Sequence, residues 1–219
     1  MSRKVQFYFD FISPYAYFAA YQLEPWRQSL SMELEIQYTP ILFAGTLNHW
    51  GHKGPAEIPP KRTFTYKDAI RQAHALGLRL KFPPFHPFNP LLALRVATLL
   101  RDSPQCHEIV LDIFHATWRD GLDITDPAVL QQRLEGMGVE KAADVMEQCL
   151  APENKLALRT QTESAVNSGV FGVPMIVIDD ELFWGCDQFD YIKDYLLGQD
   201  PVQEYPSDIS AHPVGASRT

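Results

Sequence analysis

Residues 5–15 read Val5-Gln6-Phe7-Tyr8-Phe9-Asp10-Phe11-Ile12-Ser13-Pro14-Tyr15, and they contain a strand, a corner and the start of a helix. The run from Val5 to Phe11 is short, aromatic and mostly apolar, as expected of a buried strand. Ser13-Pro14 then supplies a helix start. The serine hydroxyl suits the N-cap, and proline at the first helical position lacks only an N–H that would have had no partner there. Residues 15–30 continue as a helix dense in aromatics and alanine. Residues 33–39 alternate as a second strand, ended by Pro40. A β-α-β opening favours a right-handed parallel pair.

Outward from this unit, 45–60 reads as a loop rich in Gly, Pro and His, and 61–78 as a helix. Residues 82–90 read as a second loop, with four prolines and the apolar Phe82, Phe85 and Phe88. Helical spacing recurs over 91–101, 105–119, 127–137, 141–149 and 153–168, with Asp126 before Pro127 as an N-cap. Residues 174–178 then form a continuous β-rich run. Asp179-Asp180-Glu181 is a turn and 182–184 a second short strand, which together make a hairpin. Residues 187–197 read as a closing helix with Asp187 at its N-cap. Beyond Gln199 no apolar periodicity remains, and a poorly ordered tail is expected. The expected organisation is one sheet domain built from 1–60 and 169–198, a helical block at 61–168 inserted within it, and a tail at 199–219.

The chain has 219 residues, enough to bury a substantial core, and its formal net charge of -8 argues against non-specific nucleic-acid binding. No run of eighteen uncharged apolar residues predicts a membrane span. The opening residues do not resemble a signal peptide, since Asp10 interrupts the apolar run. Cys106, Cys149 and Cys186 lie far apart with no C-x-x-C pair, which fits a reducing cytoplasm. The seven histidines form no metal-ligand spacing, and no metal site is expected.

Three segments carry candidate chemistry. The start of the first helix offers unpaired N–H donors and partial positive charge, which stabilise an anion such as a thiolate. Ser13 stands there and no cysteine lies near it in sequence, so a thiolate would have to come from a ligand, with the Ser13 hydroxyl donating to it. Read alone, Ser13 is an N-cap. Val173-Pro174 opens the strand at 174–178, where an ordinary trans proline would simply begin the strand, and a cis proline would turn the Val173 backbone outward to pair with a peptide-like ligand. Trp184-Gly185-Cys186-Asp187 opens the last helix, where Asp187 could accept an ammonium group and Cys186 could be reactive.

Taken together, Phe7-Tyr8-Phe9-Asp10-Phe11-Ile12-Ser13-Pro14-Tyr15, Phe171-Gly172-Val173-Pro174 and Phe183-Trp184-Gly185-Cys186-Asp187 resemble the 2-hydroxychromene-2-carboxylate isomerases. That family is grouped with the kappa-class glutathione transferases and the wider DsbA-like proteins. The resemblance covers roughly residues 5–197. It implies an α/β thioredoxin-like fold with an inserted helical domain, glutathione as cofactor, an aromatic α-keto acid as substrate, and a homodimer.

By the same resemblance Ser13 contacts the glutathione sulfur, Val173 and Pro174 pair with its backbone, and Cys186 and Asp187 hold its γ-glutamyl end. His52 and Lys61 are the expected polar and cationic contacts, with Lys53 and Arg62 as alternatives to Lys61. His52 departs from the family's asparagine, and Gln188 from its arginine. Asn89 matches an asparagine near the second-substrate cavity, although a turn role fits it equally. Tyr15 and Trp184 are expected to line the pocket. The expected activity is isomerisation by reversible thiolate addition. The alternatives are a kappa-like transferase and a non-enzymatic glutathione- or peptide-binding module, while the missing C-x-x-C argues against a disulfide oxidoreductase.

Overall fold

The computed structural model describes residues 2–205 and 215. The opening unit is β1 (Arg3–Phe9), α1 (Pro14–Ser29) and β2 (Leu34–Pro40). β1 and β2 pair in parallel along their whole length, from Arg3 opposite Leu34 to Phe9 opposite Pro40. The hairpin of β3 (Met175–Ile178) and β4 (Glu181–Trp184) adds to the other side of β1, giving the order β2-β1-β3-β4. Its two-residue turn places Asp179 and Asp180 at φ 50° and 70°, the left-handed geometry that a tight hairpin requires and that aspartate tolerates.

β1 is covered on both faces over Phe7, Tyr8 and Phe9, which are all buried and apolar or aromatic, while Lys4 is exposed and Gln6 half-buried. On one face Phe7, Phe9 and Phe11 are fully buried and form a ladder, with ring separations of 5.4 and 5.3 Å. α5 (Cys106–Phe114) closes that ladder with Phe114, 4.7 Å from Phe11. On the other face Tyr8 and Met175 pack with Ile41, Val170, Val173 and Ala165, the last from α8 (Pro152–Asn167). A strand between two apolar layers has no solvent face on which polar residues could alternate.

Between β2 and β3 the chain also forms α2 (Phe43–Trp50), a short 3₁₀ turn at Pro55–Glu57, α3 (Pro59–Ala75), α4 (Leu91–Leu99), α6 (Pro127–Gly136) and α7 (Ala142–Gln148). α2 corrects the loop expected over 45–60. Its glycines serve the helix. A Cβ on Gly45 would lie 3.0 Å from the Thr162 methyl of α8, so glycine permits the helices to approach. Gly51, at φ 67°, ends α2 as a left-handed C-cap. The helix expected over 105–119 ends in a π-turn, with Asp120 N–H reaching back five residues to the His115 carbonyl at 2.9 Å.

The chain divides into two compact units, Met1–Cys186 and Asp187–Thr219. In the second, α9 (Phe189–Leu196) has Gln188 at its N-cap, with no side-chain cap bond. This corrects the expected Asp187 cap: the Asp187 carboxylate instead accepts from the Gln188 side chain at 3.2 Å. Pro201–Glu204 forms a 3₁₀ turn capped by Asp200, which accepts from Val202 N–H at 3.0 Å. Residues 199–205 of the expected tail therefore hold local structure, and 206–214 and 216–219 lie outside the described residues. No described helix is long and apolar enough to cross a membrane.

Gly121 and Gly77 sit at nearly equal positive φ, 65° and 67°, yet only at Gly121 would a Cβ meet other atoms, including the Phe82 carbonyl at 2.9 Å. Gly77→Ala should therefore cost about 1 kcal/mol from backbone strain alone. Gly121→Ala should cost more, because the 81–82 segment must also move. Urea denaturation of the two variants measures the difference; equal losses would mean that the close approach at Gly121 carries no energy.

Candidate active site

The β1–α1 corner and the loop before β3 leave the sheet at the same end. Tyr8 pairs with Met175, and continuing that antiparallel register by one residue sets Pro174 across from Phe9. The Val173–Pro174 peptide is cis, as the thioredoxin-like reading expects. Val173 is buried, and its N–H and C=O have no backbone partner among the described residues. Such groups are open to a strand-like ligand.

Ser13 is extended (φ -98°, ψ 117°) and caps α1, its Oγ accepting from Ala16 N–H at 3.2 Å. It is 8% exposed. The cap bond uses a lone pair of Oγ and leaves the hydroxyl hydrogen free to donate. Pro14 has no N–H, Ala16 is held by Ser13 Oγ, and Tyr17 N–H returns to the Ser13 carbonyl at 3.2 Å. Tyr15 N–H is then the first-turn amide without a partner among the described residues. No acidic residue lies in that turn. Two free donors at the positive end of a sixteen-residue helix form a site for an anion.

Two of the protein's three cysteines are disfavoured as anions by burial. Burial pushes the Cys106 thiol up to about 11 and raises Cys149 as well. Cys186 is 5% exposed, and its thiol donates to Gln72 Oε1 at 3.0 Å. It is one end of a hydrogen-bonded chain. Gln72 Nε2 donates to Asp68 Oδ2 at 2.9 Å, and Tyr15 Oη donates to the same oxygen at 2.9 Å. Burial first, and Asp68 second, hold the Tyr15 phenol well above its ordinary range, so it stays protonated. The chain ties α3 to the start of α1 and the end of β4. Asp68 and Gln72 were invisible as site residues in sequence; their i, i+4 spacing on one helix face is the only signal they give.

Three residues before Ser13, Asp10 is fully buried. Its carboxylate accepts from Ile12 N–H at 3.0 Å and from Phe43 N–H at 2.9 Å, joining the β1–α1 corner to the start of α2. Burial dominates these two bonds and pushes its pKa up to about 7.

A sequence model of the DsbA-like thioredoxin domain matches residues 4–197. This chain belongs to the DsbA-like thioredoxin family. It is 31% identical over 199 residues to a 2-hydroxychromene-2-carboxylate isomerase of Sphingobium xenophagum, covering 90% of this chain and 100% of the relative. It is 27% identical over 207 residues to glutathione S-transferase kappa 2 of Caenorhabditis elegans, covering 88% and 91%. A solved structure of 2-hydroxychromene-2-carboxylate isomerase superposes with a TM-score of 0.78 at 25% identity, covering 92% of this chain and 97% of that one.

In this DsbA-like chain the other sequence candidates sit on separate segments. Trp184 is 57% exposed and packs edge-on against Phe171 at 5.1 Å. A Cβ on Gly172 would come within 2.8 Å of its indole nitrogen, so Gly172 lets the ring lie over the backbone that leads to Val173. His52 and Lys61 are exposed, as are Lys53 and Arg62, and no described contact draws any of them to Ser13. Asn89 is exposed, and its Oδ1 accepts from Leu91 N–H at 3.1 Å, a turn bond. Asp187 belongs to the second unit. Among the described residues no group of three His, Cys, Asp or Glu could hold a metal ion. A cavity of about 1070 Å³ runs along β2 past Glu24, Tyr38, His107 and Gln161 and does not include Ser13.

Asp10 sets a pH dependence. Its folded pKa lies above the unfolded value, so between roughly pH 4 and pH 7 the folded state holds the extra proton, and Asp10's share of stability falls as pH rises. Urea denaturation at pH 5 and pH 8 should show a loss toward pH 8 that shrinks in Asp10→Asn. An undiminished slope in that variant would assign it to other groups.

Proposed function

We propose that the protein is a glutathione-dependent isomerase that interconverts 2-hydroxychromene-2-carboxylate and trans-o-hydroxybenzylidenepyruvate. The observation that carries this reading is the Ser13 corner. It keeps the anion-binding helix start of a thioredoxin-like oxidoreductase but presents a hydroxyl and a free amide where a thiolate would otherwise be attached. The residues present fit glutathione. Ser13 O–H and Tyr15 N–H are hard donors suited to a sulfur anion, and Val173 offers both polar groups of its backbone to a peptide. Bound glutathione would supply a nucleophilic sulfur for reversible addition to the conjugated double bond of the ring-opened keto acid, with which the cyclic hemiketal is in equilibrium.

The chain's own part is to bind and orient. Ser13 donates to the sulfur, and the α1 dipole favours its ionised form. The exposed His52 and Lys61 side chains are assigned to the carboxylates of the tripeptide. Cys186, whose thiol donates to Gln72, is assigned to the γ-glutamyl end of the tripeptide. Tyr15, Trp184 and Asn89 are assigned to the aromatic keto acid, with Trp184 offering the largest exposed ring surface. Similarity to the kappa-class protein of Caenorhabditis elegans supports a second reading, in which the adduct is released as a conjugate.

The decisive assay follows 2-hydroxychromene-2-carboxylate by absorbance, with total free thiol measured in parallel. Conversion should require both protein and glutathione, and the free thiol should stay constant. Ser13→Ala should lower kcat/KM by about a hundredfold, the usual loss for one donor to a reacting anion. Conversion no faster than with glutathione alone would overturn the isomerase reading. Stoichiometric loss of thiol would favour the transferase.

A further inference from the structure

Beyond β1 the chain passes through Phe11 and Ile12 before α1 begins, and both carbonyls are bound by side chains from the helical block. Trp118 Nε1–H donates to the Phe11 carbonyl at 2.9 Å, and His86 Nε2 lies 2.9 Å from the Ile12 carbonyl. Trp118 is fully buried and stands on the π-turn that ends α5. His86 packs against its indole, with ring centroids 5.4 Å apart. We infer that Trp118 and His86 are positioning residues for the anion site: they clamp two consecutive carbonyls, and so fix the direction in which Ser13 O–H and Tyr15 N–H point.

The tautomer follows from the partners. A nitrogen facing a carbonyl must carry hydrogen, so His86 Nε2 is the donor. Its Nδ1 then accepts, and Tyr66 Oη lies 2.9 Å away with one hydrogen shared between that nitrogen and the His86 carbonyl at 3.1 Å. Burial holds the His86 pKa below its ordinary value, so the neutral ring makes this contact at neutral pH. Packing alone would need only rings of this size. Two N–H groups aimed at adjacent peptides do more: Ile12 N–H is also tied to Asp10 and Ser13 N–H to the Asp10 carbonyl at 3.1 Å, so the peptide planes leading into α1 cannot rock freely. An α-helix start stabilises an anion only while its donors converge on it, and the interaction fades within the first turn.

This inference rests on the glutathione reading, and one set of titrations separates the two. The ultraviolet absorbance of the thiolate is followed against pH for glutathione bound at saturation to wild type, Trp118→Phe, His86→Leu and His86→Gln, each subtracted from ligand-free protein. Wild type should titrate well below free glutathione. Trp118→Phe and His86→Leu should each reduce the thiolate-to-thiol ratio at a given pH by about three- to tenfold. His86→Gln keeps a donor and an acceptor and should stay near wild type. A lowered titration that persists unchanged in Trp118→Phe and His86→Leu would overturn the positioning role alone. No lowering in wild type would overturn the thiolate reading and this inference with it. The histidine pair decides the matter if Trp118→Phe does not fold.

Discussion

An α-helix begins with amides that have no carbonyl one turn behind them, and the remainder of this site exists to leave some of those amides open. At α1, Pro14 removes one donor, Ser13 Oγ takes the Ala16 amide and the Ser13 carbonyl takes that of Tyr17. What is left is the Tyr15 N–H and the Ser13 hydroxyl hydrogen, both at the positive end of the helix dipole. A cysteine at the cap would fill this position with its own sulfur. A serine leaves it to a ligand.

The surroundings hold the corner still by burying polar groups that have partners. Asp10 joins two backbone amides from different segments, and its raised pKa records the cost of placing a carboxyl where water does not reach. Tyr15 is tied through Asp68 and Gln72 to Cys186, whose thiol is engaged as a donor. Trp118 and His86 occupy the two carbonyls that precede the cap. The bonds from Asp68, His86 and Trp118 to the β1–α1 corner each span more than fifty residues, so the helical block contributes to the corner although it carries neither Ser13 nor Tyr15.

The legible parts of the fold were those written in local chemistry. An aromatic run followed by Ser13-Pro14 specifies a strand and a capped helix, and adjacent aspartates at 179 and 180 specify a hairpin turn. α2 was missed because Gly45 and Gly51 signal a loop, whereas one permits contact with α8 and the other ends the helix. Asp187 looked like a cap, but its side chain bonds to its neighbour Gln188. At the site, the Ser13 cap could be anticipated from its own few residues, whereas the cis Val173–Pro174 peptide was implied only by the family resemblance. Asp68, Gln72, His86 and Trp118 could not, because their roles depend on partners 53 to 114 positions away: Tyr15 for Asp68, Ile12, Phe11 and, for Gln72, Cys186. Only tertiary packing brings such pairs together.

The central claim is that a sulfur is held as an anion at the start of α1. Calorimetric titration of the protein with glutathione at neutral pH, repeated in buffers of different ionisation enthalpy, counts the protons released on binding. The account predicts release of close to one proton per site from the ligand thiol in wild-type protein, and markedly less in Ser13→Ala. Binding of glutathione with no proton release in the wild type would contradict it.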